Sequence, residues 1–425
     1  MTPSTVQRPW IRTCCRVLLV LALWGAGWQH ANAQAFRGKD SLTQRAEHRD
    51  AVKRSLELIR GSVDRYPQHR DCFSCHHQAV PLFALHSARK PSFGGNGSVK
   101  ASPDAERIEQ ILEFSRKSLE SHRDDLRAGK ELDGRGLTLG YALWTEAVGK
   151  ADWGELHRDL IDNALATQQP DGRWRVHSIR PPAAASDAMA TALVSFGLIE
   201  EAKARIARRQ PFSESLPLWQ SVYRARRWML RQSDPTNTED ACGLLWIDYL
   251  TDDMASKMKP PGIPPGHGGS FADDPAWKEW LKAFKVADAA AGRAPVKEKS
   301  TVIQRLNALL EQQNEDGGWG QDAERDSDAY STATVLLLWA ETYSDYKIGA
   351  YRLHGFSNGL DYLIRTQCED GSWHVSSRAT PVQEYFDNGD PHETDQFISM
   401  MATSWSASVL ANAWYQRLTP LSVHD

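Results

Sequence analysis

Apolar positions along the chain fall into two alternating kinds of helix-like run. Runs of the first kind mix charged and apolar residues and end in Leu- or Ile-x-x-Gln, as in Ala164-Leu165-Ala166-Thr167-Gln168. Those of the second kind are apolar, poor in charge and rich in small residues: Ala188 to Leu198, Tyr330 to Ala340 and Ser399 to Ala413. Between the two stand Gln168-Gln169-Pro170-Asp171-Gly172-Arg173-Trp174, Gln313-Asn314-Glu315-Asp316-Gly317-Gly318-Trp319 and Gln367-Cys368-Glu369-Asp370-Gly371-Ser372-Trp373, all reading Q-x-x-D-G-x-W. Glycine after aspartate suits a turn that needs positive φ. The glutamine amide can bond backbone groups left open at a helix end, and the indole buries a large apolar surface. The unit is helix, Asp-Gly turn, tryptophan, loop, helix, and the pairs Ala190-Thr191, Ala333-Thr334 and Ala402-Thr403 carry the alignment into the second helix.

Weaker copies extend the pattern. Arg227 to Gln232 resembles a first helix and Thr238 to Leu250 a second, Leu132 to Ala147 reads as another degenerate unit, and Arg49 to Leu85 supplies one more hairpin. About five or six stacked hairpins can close into a ring, with charge-poor helices inside. Loops interrupt the pattern at Lys90 to Pro103, at Met258 to Ser270 (with His267) and at Ser376 to Phe397.

Composition adds little against this picture. Hydrophobic residues make up 41% and charged residues 24%, as in ordinary globular chains, and the formal net charge is −4 with no basic run, which argues against nucleic acid as a partner. The N-terminus is different: Arg8, Arg12 and Arg16 precede an apolar run from Val17 to about Gly27, and Ala31-Asn32-Ala33 follows. That pattern predicts a signal peptide over residues 1–33 and a periplasmic or otherwise extracytoplasmic protein with no stable membrane span after its removal. An N-terminal helical segment would then occupy 34–130, and the repeats 131–417.

The Q-x-x-D-G-x-W segments resemble the "QW" repeats of squalene–hopene cyclases and the related toroid of protein prenyltransferase β subunits, over roughly Leu132 to Arg417. Combined with Cys-Phe-Ser-Cys-His-His-Gln at 72–78, they resemble exported bacterial proteins of squalene-cyclase-like type. The resemblance implies an all-α, α/α-toroid fold. For activity it implies two chemistries. Class II terpene cyclases protonate an alkene or epoxide with the middle acid of D-x-D-D, which burial and neighbouring carboxylates keep protonated. The matching segment is Asp326-Ser327-Asp328-Ala329, making Asp328 the candidate catalytic acid, but the fourth position is alanine. Read from its position alone, Asp328 caps the following helix, and Asp187 and Asp240 stand similarly before other inner helices. Prenyltransferases bind zinc through Asp-x-Cys and a distant histidine. Asp240-Ala241-Cys242 matches the pair, yet the histidine position falls on Ala402, so no zinc is expected and Cys242 reads as a small buried residue.

Cys14 and Cys15 leave with the signal, so Cys72, Cys75, Cys242 and Cys368 remain, too few for a disulfide scaffold. Cys72-Phe73-Ser74-Cys75-His76 has the spacing of c-type haem attachment, with Cys72 and Cys75 as thioethers and His76 as axial ligand of the haem iron. His77 and His86 are nearby candidates for the sixth ligand. A Cys72–Cys75 disulfide or dithiol, or a metal held with His76 or His77, are the alternatives. Acids and His392 gather between Asp387 and Gln396, in what reads as a polar surface loop. Trp246, Trp339 and Trp405 fall on inner helices, as packing residues or as cavity walls. Three functions follow: a toroid with covalent haem c acting with a redox partner or holding an apolar small molecule, an isoprenoid cyclase or isomerase using Asp328, and a non-catalytic interaction scaffold.

Overall fold

The computed structural model describes residues 41–89, 104–177, 180–256, 274–293, 301–346, 350–380 and 384–418. The signal-like segment, the loops 90–103 and 258–270, and His267 lie outside them. The described residues are helical, with only isolated bridges such as Trp319 with Asp328.

The helices pair into hairpins in chain order. Helix α1 (Ser41–His69) precedes α2 (Val80–Ser87), which is entered through a π-helical turn, Cys75–Ala79. Helices α3 (Ala105–Glu120) and α4 (Arg123–Arg127) precede α5 (Gly136–Gly149), and α6 (Glu155–Thr167) precedes α7 (Asp187–Ala207). Helix α8 (Phe212–Met229) precedes α9 (Thr238–Ser256), and α10 (Pro275–Ala290) follows as an addition. Helix α11 (Val302–Leu310) precedes α12 (Ala329–Tyr346), and α13 (Ala350–Thr366) precedes α14 (Gln396–Leu418). The second helix of each hairpin packs on its counterparts in the order α2, α5, α7, α9, α12, α14 and back to α2. That closed circuit is the inner ring of an α/α toroid of six hairpins.

Position in the ring follows from sequence pattern. Outer helix α3 buries Ile108, Ile111, Leu112, Ser115 and Leu119, a single stripe at helical spacing. Inner helix α7 buries nearly every residue from Ala188 to Leu198, because it touches neighbours on both sides and an outer helix behind.

The three Q-x-x-D-G-x-W corners have one geometry. Each indole is fully buried, and its Nε1 donates to the carbonyl ten residues earlier: Trp174 to Ala164 (2.9 Å), Trp319 to Leu309 (2.7 Å), Trp373 to Leu363 (2.8 Å). Each glutamine amide donates to its own corner glycine carbonyl and to the next outer helix: Gln168 to Ser221 (2.9 Å), Gln313 to Gly355 (2.8 Å), Gln367 to Ala51 (2.9 Å). The glycines adopt φ of 109°, 88° and 91° and press on that helix one turn further along. A Cβ there would sit 2.3 Å from Arg224 O, 2.7 Å from Asn358 O or 2.6 Å from the Arg54 carbonyl carbon. Positive φ and this close approach both require glycine. The corner is thus a joint between successive hairpins, and the third joins the last hairpin to the first. The N-terminal segment therefore lies within the ring, supplying α1, α2 and α3.

The threonines correct the expected register. The backbone N–H groups of Trp174, Trp319 and Trp373 donate to Thr191, Thr332 and Thr403 (2.9–3.0 Å). In the middle repeat Ser331-Thr332 takes the place assigned to Ala333-Thr334, while Thr334 bonds within its own helix.

The joint after α8 has no such corner. Gln232 turns back to Trp228 O (2.8 Å). Charges hold this region instead: buried Arg226 donates to Asp248 (3.0 Å) and Thr251 (2.8 Å), Thr301 N donates to Asp248 (2.9 Å), and Asp288 gathers Arg227, Arg231 and Arg293. A cleft of about 290 Å³ opens between Trp228, Leu244, Asp187 and Asp240.

Candidate functional site

Each inner helix follows its outer partner with reversed direction, so the inner N-termini share one mouth of the ring. Contacts between them bear this out: Ser186, the cap of α7, donates to Asp240 in the first turn of α9 (2.6 Å), and Tyr330 at the start of α12 donates to Glu239 (2.8 Å). Cys75 and His76 reach the same mouth from the turn before α2, with the His76 ring edge-on to Phe397 at the start of α14 (5.0 Å).

Glu239 is the group that sequence reasoning missed. Its carboxyl is buried, Oε2 accepts from Tyr330, and Oε1 has no hydrogen-bond partner among the described residues. Burial pushes it up to about 8, opposed by the Tyr330 bond and helped by the nearby Asp240 and Asp328 carboxylates. That shift favours the neutral carboxylic acid at pH 7. An acid in a helix's first turn ordinarily faces solvent and complements the dipole, which is why Thr238-Glu239-Asp240 gave no signal. The usable hint was a carboxylate at the head of a charge-poor run.

Apart from those two carboxylates, its surroundings are apolar or weakly acidic. Tyr141 on α5 and Tyr330 are held well above the ordinary phenol range by burial. The Cys75 thiol is pushed up to about 12, chiefly by burial, with the charge of Glu239 adding. Helix α2 lies opposite α9 in the ring, so this coupling runs across the ring axis. Beyond Tyr141, the rings of Phe83, Trp144 and Trp405 from α2, α5 and α14 meet at 5.1–5.7 Å. Trp246 pairs with Phe196 at 6.0 Å, whereas Trp339 turns outward onto Trp319 and Phe356.

Asp328 is the N-cap of α12: its carboxylate accepts from Ser331 N (2.8 Å) and Oγ (3.2 Å). Burial raises it, against those bonds. Asp187 and Asp240 do not cap as expected. Asp187 accepts from Val176 N (2.8 Å), leaving Ser186 to cap α7, and Asp240 accepts from Ser186 and Asn237. Cys242 is wholly buried, its thiol raised well above the ordinary range by burial. Among the described residues no three His, Cys, Asp or Glu side chains gather as a metal site.

Cys72 and Cys75 are free thiols, and burial lowers His76 to about 3, helped by Arg180, so its imidazole is neutral. In kind, this donor set fits a c-type haem. The thiols face different surroundings, however: Cys72 is exposed beside the Tyr66 hydroxyl (3.4 Å), and Cys75 is half-buried with Sγ 3.5 Å from His76 Nδ1. His77 is committed to packing, buried edge-on to His76 at 4.7 Å and bonded to Ser62 and Asn388. The segment read as a polar surface loop is at the surface in part, with Asp387, Pro391, Glu393 and Thr394 exposed, and turns other residues inward. Asn388, Asp390 and Gln396 are buried, and Phe386 packs on Tyr66 and His77 while Arg70 lies over it at 4.6 Å.

No family model and no curated protein matches the chain. Similar solved structures include the type II terpene cyclase MstE from Scytonema in its apo form, at 12% identity over 87% of this chain and 99% of that one, with a TM-score of 0.46. The same enzyme's variants are similar in complexes with merosterolic acid A (12%, 88% and 99%, 0.48) and with geranylgeranyl dihydroxybenzoate (14%, 88% and 99%, 0.47). The ring assignment stands on the packing described above. No helix among the described residues is long and apolar enough to cross a membrane.

Proposed function

We propose that the chain is a Brønsted-acid catalyst of the terpene-cyclase type, acting outside the cytoplasm on an apolar polyene held in the ring, with Glu239 as proton donor. The observation that carries this reading is a buried carboxyl whose Oε1 has no hydrogen-bond partner among the described residues, in surroundings that push its pKa up to about 8. The O–H bond at Oε1 breaks as an alkene π pair forms a new C–H bond, and the electron pair left behind makes the carboxylate. The resulting carbocation is drawn on by neighbouring double bonds and supported by aromatic faces such as those of Trp144 and Trp405. Loss of a proton from carbon ends the sequence, so product and substrate are isomers. Asp328, the acid implied by resemblance, serves in this reading as a cap near the donor.

Squalene and linear C20 polyprenols are the probes, with products separated by gas chromatography and recognised by unchanged mass. Conversion by the wild type should fall ~10²–10⁴-fold in Glu239→Gln, the scale of a lost general acid. Activity should be present below pH 8 and decline above it, as Glu239 ionises. Full turnover by Glu239→Gln would sink the reading.

A second reading keeps Cys72, Cys75 and His76 as the chemistry, and is supported by the two free thiols and the neutral imidazole. In it the thiols hold haem c, His76 ligates the iron, and the bound group supplies one-electron transfer to a redox partner. Protein made in a haem-attaching host should then show a Soret band that survives denaturation; colourless protein removes it.

A further inference from the structure

The hydrogen bond between Tyr330 and Glu239 does more than satisfy two buried groups. A neutral carboxylic acid has one oxygen that carries the proton and one that can only accept. Tyr330 is buried and stays un-ionised, so its O–H donates, and it donates to Oε2 at 2.8 Å. An oxygen that accepts this bond serves as the carbonyl oxygen, which leaves the proton to Oε1, the oxygen with no partner among the described residues. From this geometry we infer that Tyr330 is a positioning residue that fixes the transferable proton of Glu239 on Oε1 and steadies the carboxylate left after transfer. The inference rests on the acid reading above and deepens it.

When the proton leaves Oε1, the new negative charge spreads onto Oε2, where the phenol is already in place and needs no reorientation. A hydrogen bond to a charged acceptor is stronger than one to a neutral acceptor, so this contact favours the transition state over the ground state. The groups facing Glu239 offer no other such help. They are Asp240 and Cys242 on its own helix, Asp328 beside Tyr330, Tyr141 on α5, and Cys75 on the turn before α2, every one an acid. Each would raise the carboxyl if ionised, and only the Tyr330 bond lowers it.

A test that needs no substrate is infrared difference titration of the protonated-carboxyl C=O band in the full-length protein. The wild-type band should include a component with a midpoint near pH 8, above that of buried Asp390 at about 7, and this component should be missing in Glu239→Gln. In Tyr330→Phe and Tyr330→Leu the midpoint should rise by about one unit or more. Tyr362→Phe, whose hydroxyl bonds Ser327 O at 2.7 Å, should leave it in place. With squalene as probe, kcat should fall ~10–100-fold in Tyr330→Phe with its alkaline limb displaced upward and KM little changed. A midpoint that stays or falls in both Tyr330 variants, while their helical circular dichroism is native, overturns the inference. A component near pH 8 that persists in Glu239→Gln overturns the acid reading instead, so the two failures are distinguishable.

Discussion

The ring has two kinds of joint. Three are made by the glutamine–glycine–tryptophan corner, which repeats bond for bond down to the carbonyl ten residues before each indole. The joint after α8 has no corner and is held by buried charge, and the first hairpin carries none of its own, receiving its neighbour through Gln367. The proposed chemistry falls at the second kind. Glu239 heads the helix after the cornerless joint, and Cys75 and His76 stand in the cornerless first hairpin. Regular joints fix the scaffold, and the irregular ones are where side chains were available for other work.

Mutation can break this contrast. The largest effect is expected from Trp319→Ala, which opens a cavity and strands the Leu309 carbonyl, for about 3–5 kcal/mol by urea unfolding; a loss under ~1 kcal/mol would mean the corners are not the joints described. Close behind, Arg226→Ala takes the guanidinium from buried Asp248 and leaves it Thr301 and the more distant Arg305, at about 3–5 kcal/mol, and pairing it with Asp248→Asn should recover part of that.

A smaller, pH-dependent effect comes from His157, wedged between Glu146 (2.7 Å) and Glu201 (3.3 Å) where α5, α6 and α7 meet. Burial alone would lower it, but the hydrogen bond to Glu146 and the Glu201 carboxylate facing Nε2 outweigh that and lift it to about 9. A raised folded-state pKa stabilises fully below the unfolded value near 6.5, and that stability is lost as pH rises through about 9. The loss should be on the order of 2–3 kcal/mol, and a His157→Gln protein should lack it; an unchanged slope between pH 6.5 and 9 would refute the charged triad. Smallest and most pointed is a pair of glutamines. Gln367→Ala removes two backbone-directed bonds, one of them across a joint, and should cost about 1–2 kcal/mol, against under ~0.5 kcal/mol for Gln232→Ala, whose amide only turns back onto the end of α8. Equal losses would erase the distinction.

The same contrast explains what the sequence disclosed. Corner residues recur because one geometry demands glycine, tryptophan and glutamine together, so the fold was legible. Register inside α12 was not, since small polar residues at 331, 332 and 334 satisfy the same pattern and only the Trp319 N–H distinguishes them. Asp328 was visible as acid or cap, and its bonds to Ser331 are those of a cap. Glu239 stayed hidden because its role depends on burial from across the ring, which no local pattern encodes.

The bond from Gln367 to Ala51 spans 316 residues. A chain emerging N-terminus first therefore makes its opening helix long before that helix has its last neighbour, and such distant contacts form late. Until the C-terminal hairpin docks, nothing brings Asn388 against His77 or Phe397 against His76. The thiols of Cys72 and Cys75 thus have an early interval of open access, and anything attached to them, whether oxidant-made bond or prosthetic group, is most easily installed before the circle shuts.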